Sequence, residues 1–207
     1  MTEKKTIHCY CDNSVEIEVP TEVDLAESEG TASAIREGRF LSVSCPKCGK
    51  LLKPEFPVRI FDSSKGIEVF LVPELERGSF LLGRSTYAVN DPVRGRIVIG
   101  YPELVEKLAI FEAGLDDRAV EVIKYYLSQK VEEDADFDIH FRGREGGKLV
   151  FHILGLREDE VGVSSIAFTL YEKVARELPE KIHEEPFDFL LAPPYVSFKK
   201  VSREETV

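Results

Sequence analysis

Four cysteines carry the residue types and spacing that could do chemistry in this chain, and they fall in two tight pairs, Cys9 with Cys11 and Cys45 with Cys48. In a reducing compartment, paired thiols read as metal ligands before they read as disulfides. Zinc takes four soft or borderline ligands in a tetrahedron, with sulfur at about 2.3 Å. The segment Cys45-Pro46-Lys47-Cys48-Gly49 is a chelating half, because two intervening residues let both sulfurs reach one ion. Pro46 stiffens its turn, and Gly49 permits the positive φ often needed just after it. The other half, His8-Cys9-Tyr10-Cys11, has a single intervening residue, shorter than the usual spacer.

That short spacer leaves two ligand sets open. His8 and Cys11 stand two residues apart and could chelate together, with Cys9 left out, since imidazole is an acceptable zinc ligand. The set Cys9, Cys11, Cys45 and Cys48 is preferred because thiolate neutralises the ion better and no thiol is left spare. The competing interpretation is that these are free cysteines packed as small hydrophobes. Two close pairs and a Pro-x-Cys-Gly turn argue against it.

The elements that must position these residues are legible nearby. Residues 15–19 alternate apolar with acidic side chains and predict a strand with one wet face. Residues 39–44 alternate less cleanly and lead into Cys45. Residues 56–61 and 67–72 predict a hairpin turning at 62–66. Ligands on two knuckle-like turns at the ends of short antiparallel strands are the zinc-ribbon arrangement. The polar, acidic stretch 20–38 is expected to bulge out between the halves.

The segment Ser44-Cys45-Pro46-Lys47-Cys48-Gly49-Lys50, with Glu37-Gly38-Arg39-Phe40 before it and Phe56-Pro57 and Phe70-Leu71-Val72-Pro73 after it, resembles the CpXC family. That bacterial and archaeal group is named for its paired Cys-Pro-x-Cys motifs. Leu104-Val105-Glu106-Lys107-Leu108 and residues 110–118 extend the likeness, which covers roughly residues 6–130. Cys9-Tyr10-Cys11 departs from the pattern, lacking the proline and one spacer residue. The resemblance implies a zinc-binding fold and no particular activity.

From Tyr101 the period becomes helical. Pro102 suits a first turn, Leu104, Leu108 and Phe111 share a face, and Gly114 suits a stop. A second helix begins near Asp116 or Asp117, which are expected to cap it rather than act as catalytic carboxylates. Residues 131–136 predict an acidic linker. Residues 137–141 and 148–154 flank a Gly-rich turn and predict a hairpin. With Arg142 opposite Lys148, His152 would face Asp138 and share a surface with His140. A second metal site of Asp138, His140 and His152 is then conceivable, against a plain polar face over an apolar one. A helix over 165–178 is expected, with Ile166, Leu170, Val174 and Leu178 on its buried side and Ser164 or Ser165 as cap. A last edge strand is expected at 193–198 and a loose tail from Ser202. The expected architecture is α+β: an N-terminal zinc-ribbon-like antiparallel β lobe, a central helical hairpin and a C-terminal small α+β unit, divided as residues 1–131 and 132–207.

Composition narrows the function. The chain has 207 residues and a net charge of -11, a field that repels phosphate backbones and anionic lipids. The N-terminal residues include no apolar stretch of signal-peptide type. The longest run free of Asp, Glu, Lys and Arg, residues 161–171, is shorter than the roughly 20 residues a membrane span needs. A cytoplasmic protein without membrane contact is expected. No Gly-x-Ser-x-Gly, His-Glu-x-x-His or phosphate-loop pattern occurs. The leading expectation is a non-enzymatic zinc protein that presents a surface to a protein partner. One alternative is a nucleic-acid-binding ribbon using Arg39, Lys47, Lys50, Lys53, Arg59 and Lys65 with Phe40, Phe56 and Phe61, which the net charge disfavours. The other is a thiol redox sensor or hydrolase, for which no general base stands beside the cysteines.

Overall fold

The computed structural model describes residues 1–91, 93–131, 137–157 and 160–200. Residues 132–136 of the linker expected over 131–136, and the tail from Ser202, lie outside them. The fold is α+β, and it divides into two compact units, Met1–Val105 and Glu106–Val207.

The first unit opens with a hairpin of β1 (Thr2–His8) and β2 (Ser14–Pro20), paired from Thr2 with Pro20 to His8 with Ser14. The alternation over 15–19 holds, with Val15 and Val19 buried and the glutamates in solvent. The stretch 20–38 is not a loop that bulges out. It forms β3 (Glu22–Asp24) and α1 (Glu29–Arg36), and Ile35 of α1 is fully buried. The Asp24 carboxylate, accepting from the amides of Ala26 and Ser63, turns the chain out of β3. Polar composition hid a segment that needs only a few apolar anchors.

The strand expected over 39–44 shrinks to β4 (Val43–Ser44), because Leu41 adopts a left-handed φ of 58° and Ser42 closes a turn on Arg39. β4 pairs with β5 (Leu51–Leu52). The predicted hairpin is present as β6 (Val58–Asp62) and β7 (Ile67–Val72). Its sheet is mixed, since β3 joins β6 in parallel and β8 (Arg96–Ile99) joins β7 in parallel, in the order β3-β6-β7-β8. The connection before β8 holds a short helix, α2 (Arg77–Leu81). Buried Arg77 there pairs with Glu103 at 2.9 Å and donates to the Ile99 carbonyl at 3.0 Å.

The helix predicted from Tyr101 is α3 (Gly100–Glu112), and the division between units falls within it. Gly114 takes φ 67° beyond its end. In the second unit α4 (Asp117–Ser128) is capped by Asp116, whose carboxylate accepts from the Arg118 amide at 2.9 Å. β9 (Asp138–Glu145), β10 (Lys148–Arg157) and β11 (Glu160–Ala167) form an antiparallel sheet in the order β11-β10-β9. The expected β9–β10 register is corrected: a bulge lies between Val150 and Phe151, and His152 faces His140.

The helix expected from Ser165 starts later, as α5 (Phe168–Lys181), and runs through Pro179. Ser164 and Ser165 belong to β11, and the helix start has no side-chain cap, so no capping signal marks it. A four-residue helix, α6 (Phe187–Leu190), follows. The edge strand expected at 193–198 is absent among the described residues. Its backbone is satisfied by buried charges instead: the Val196 carbonyl accepts from Lys107 at 3.2 Å and the Phe198 amide donates to Glu121 at 2.9 Å. The core of this unit joins Ile139, Phe141, Leu149 and Phe151 of the sheet to Val120, Ile123, Val174 and Leu178 of the helices.

Candidate metal centre

Each cysteine pair sits in the turn of its own two-stranded hairpin, and the two turns are the same knuckle at two lengths. In the longer one, the Cys45 amide donates to the Lys50 carbonyl at 2.9 Å and the Cys45 carbonyl accepts from Gly49 at 2.8 Å, with Gly49 at φ 73°. In the shorter one, the Cys9 amide donates to Asn13 and the Cys9 carbonyl accepts from Asp12, both at 2.9 Å, with Asp12 at φ 62°. Every feature has slid by one residue. The left-handed position passes from glycine to aspartate, a residue type enriched in that region. The single-residue spacer is therefore a shortened knuckle that still aims both thiols inward.

The sulfurs meet across the two turns. Cys9 Sγ lies 3.6 Å from Cys48 Sγ, and Cys11 Sγ lies 3.7 Å from Cys45 Sγ. All four lie within 4.8 Å of one another, so the cluster is able to hold a metal ion. Cys9 and Cys45 are buried and, with Val15 and Leu52, form the small core of the lobe, while Cys48 is exposed. His8 takes no part: its Nδ1 is 3.2 Å from Ser14 Oγ, at the mouth of the hairpin. Burial works against ionising Cys45, but the amides of Cys48 and Lys47 point at its sulfur and bring its pKa down to about 6. Cys9 goes the other way, to about 12. The Cys11 amide favours its thiolate, but burial and the neighbouring thiols Cys48, Cys11 and Cys45 prevail. Cys45 thus favours the ligating thiolate form and Cys9 the thiol.

Two flanking groups support the cluster, Asn13, which carried no signal in the sequence, and Lys47, expected above only as part of a basic patch. Asn13 Nδ2 donates to Cys45 Sγ at 3.8 Å, and Lys47 Nζ donates to the Cys11 carbonyl at 3.2 Å, stitching one knuckle to the other. Lys50 Nζ lies 4.6 Å over the Tyr10 ring. The remaining basic residues of the expected patch are largely paired. Arg39 binds Glu37, Arg59 binds Glu22 and Glu68 at 3.1 and 2.7 Å, and Lys65 binds Asp62 at 3.1 Å. Phe40 is buried.

The conceivable second metal site is not assembled. His140 Nε2 is 2.9 Å from Asp138 Oδ2, but Lys199 reaches the same oxygen at 2.6 Å, and His152 lies across the strand pair with no part in the cluster. Cations occupy the place a metal would take. The cluster extends inward as a chain of alternating charge that sequence reading missed. Asp117 meets Lys107 at 2.9 Å and Lys107 reaches Glu121 at 3.9 Å; Lys124 meets Glu121 at 3.2 Å and Glu106 at 2.8 Å; Glu106 lies 3.6 Å from His140. Burial disfavours the His140 cation, yet the carboxylates of Asp138 and Glu106 prevail and raise its pKa to about 9. Asp117, weighed above as a cap, serves in this chain, and Asp116 is the cap. Among the described residues, the four cysteines are the one group of metal-ligating side chains close enough to share an ion.

A cysteine-bearing β lobe of this form agrees with what the comparisons give. Residues 7–124 match the family described as CpXC protein, and the chain belongs to that family. It is similar over 213 residues, at 28% identity, to an uncharacterized protein of Treponema pallidum (strain Nichols), with 94% of this chain and 97% of that one covered. No solved structure matches. Among the described residues no helix is long and apolar enough to cross a membrane.

Proposed function

We propose that the protein binds one zinc ion through Cys9, Cys11, Cys45 and Cys48, and that the ion is structural, holding together a ribbon lobe that meets a protein partner. The carrying observation is the pair of sulfur separations, 3.6 and 3.7 Å. A tetrahedron with bonds of about 2.3 Å has edges of about 3.8 Å. An all-sulfur donor set favours zinc over the hard cations magnesium and calcium. Four protein ligands leave no coordination position for water, which a catalytic zinc requires. The small core of the lobe gives the metal its role, because so few buried side chains hold two hairpins only weakly.

A zinc tetrathiolate carries a net charge of about -2, and Lys47 and Lys50 stand beside it. They act as its counter-charges, which weakens the case for phosphate binding. At the same tip Tyr10 is 87% and Leu51 53% exposed, an apolar pair suited to a protein surface. Thiols that must stay reduced to bind zinc favour a reducing compartment, and the cytoplasm is the compartment proposed.

Elemental mass spectrometry of the natively purified protein is the test, with one zinc per chain expected. No metal in a folded protein with free thiols would overturn the assignment. Titration with single-stranded DNA and RNA at low salt is expected to stay flat.

A further inference from the structure

The apolar stripe predicted for the last helix includes Leu170, yet Leu170 stands 46% exposed while Val174 and Leu178 are buried. On α4, Tyr126 is likewise 43% exposed. These two side chains line an open hollow of about 300 Å³ between α4 and α5, floored by Ile123, Leu127, Ile166 and Val174. A second hollow of about 520 Å³ shares Leu127 and Lys130 with it and adds Leu156 and Arg157. Volumes of this order are those of small-molecule sites.

The charges around the first hollow are one-sided. Lys130, Lys173 and Lys181 line it against a single acid, Glu177. Lys181 Nζ sits 3.2 Å from the Tyr126 hydroxyl, so a cation and a hydroxyl stand together at one place on an otherwise apolar wall. Glu177 lies 3.9 Å from Lys173, too long for a charge-assisted hydrogen bond, so all three lysines can still turn to a ligand carboxylate. In a chain of net charge -11, an apolar trough walled by cations selects by charge as well as by shape.

We propose that this trough binds an anionic amphiphile, specifically a straight-chain fatty carboxylate, with the alkyl chain along Leu170, Leu127 and Ile123 and the carboxylate at Lys181, Tyr126 and Lys173. Carboxylate–ammonium pairing orients the ligand, and burial of methylenes provides affinity that grows with chain length.

Titration calorimetry on the full-length protein, with octanoate, decanoate and dodecanoate below their micelle thresholds, tests this. The expected result is saturable binding that tightens roughly tenfold for each two methylenes. The methyl ester of decanoate should bind at least tenfold more weakly. Leu170→Glu and Lys181→Glu should each weaken decanoate at least tenfold with the circular dichroism spectrum unchanged, since both side chains reach solvent. Leu75→Glu, at a fully exposed site in the first unit, should leave binding intact. Absence of saturable binding overturns the proposal, as does equal binding of acid and ester, which would mean a neutral chain is the ligand. Binding to anionic vesicles with none to the free acids would replace it with a membrane-surface site. If Leu170→Glu unfolds the protein, Lys173→Gln together with Lys181→Gln decides the matter.

Discussion

The two units solve the problem of buried polar chemistry in opposite ways. In the N-terminal lobe, four sulfurs come from two turns, and each turn delivers its pair locally, so a single long-range encounter completes the cluster. In the C-terminal unit, eight ionisable groups from α3, α4, β9 and the segment after Val196 alternate acid with base from Asp117 to Lys199. None of these pairs is closer in sequence than the i,i+2 spacing of Asp138 and His140, and several span tens of residues. The ion proposed for the lobe would bring its positive charge from outside the chain, whereas the second unit draws both signs from its own side chains. A metal lets a lobe hold together around few apolar residues. An internal charge chain instead requires a large surrounding core to fix every partner, because each ion taken out of water costs several kcal/mol unless paired.

The largest effect should come from removing the lobe's centre. Cys45→Ser deletes the most buried sulfur, 1% exposed. Structural zinc in small domains contributes on the order of 10 kcal/mol of apparent binding energy to folding. The expected outcome is loss of bound zinc and collapse of hydrogen-exchange protection in β1, β2, β4 and β5, while β9–β11 and α4 stay protected. A strong chelator should give the same pattern in the unaltered protein. Uniform loss of protection across both units would break the comparison, since it would make the metal a support for the whole chain.

Lys124→Met should come next. The ammonium lies between Glu106 and Glu121, all three almost fully buried, and removing it strands two carboxylates. Breaking one partner of a buried pair costs about 3–5 kcal/mol. The denaturant midpoint should fall accordingly with an unchanged slope, whereas Lys4→Met, at an exposed pair with Glu16, should change it by under about 0.5 kcal/mol. Equal small effects at both sites would remove the energetic distinction between the interior chain and a surface pair.

The contrast also explains what could be read from the sequence. Cys45-Pro46-Lys47-Cys48-Gly49, the alternation over 15–19 and the cap expected at Asp116 or Asp117 are local signals whose physics acts within a few residues, and each appears where expected, the cap at Asp116. β3 was hidden because three residues of a parallel strand in an acidic stretch have no period to detect. The last residues of β11 imitate a helix start, because Ile166 and Leu170 fit a 3.6-residue period while Ser164 and Ser165 resemble a cap. The charge chain was illegible for a stronger reason. Glu106, Lys124 and Lys199 look like ordinary solvated residues until the fold brings them under one another. The same fold turned a conceivable metal triad into an ion pair, because the hairpin turns tightly enough to pair Lys148 with Glu145, which leaves His152 opposite His140 and not Asp138, and Lys199 arrived from the far end of the chain.

A pH series sharpens the comparison at His140. Its folded pKa of about 9 lies above the ordinary value near 6.5. The stabilisation is therefore fully present below about 6.5 and is lost as pH rises through about 9. The groups facing the ring are Asp138 and Glu106, each also held by a lysine, Lys199 and Lys124. The expected loss is about 2–3 kcal/mol between neutral and strongly alkaline pH. It is read as the difference in denaturation free energy between the unaltered chain and His140→Gln, which cancels titration elsewhere. Identical pH profiles for the two would mean that His140 is neutral within the chain and that the alternation of sign stops at Glu106.

The smallest effect tests the shortened knuckle itself. Asp12 occupies, at φ 62°, the place that Gly49 takes at φ 73° in the longer turn. Glycine there relieves the left-handed strain but adds freedom to the unfolded chain, and these two terms are of similar size. Asp12→Gly should thus change stability by under about 0.5 kcal/mol and leave zinc stoichiometry unchanged. Asp12→Val places a β-branched side chain where such residues are outliers, and should cost about 1–2 kcal/mol and weaken zinc in competition with a chelator. The ratio of the two effects is informative even though both are small. If valine is accepted as readily as glycine, residue 12 does not hold the turn, and Cys9 and Cys11 reach the metal by some route other than a knuckle with one residue removed.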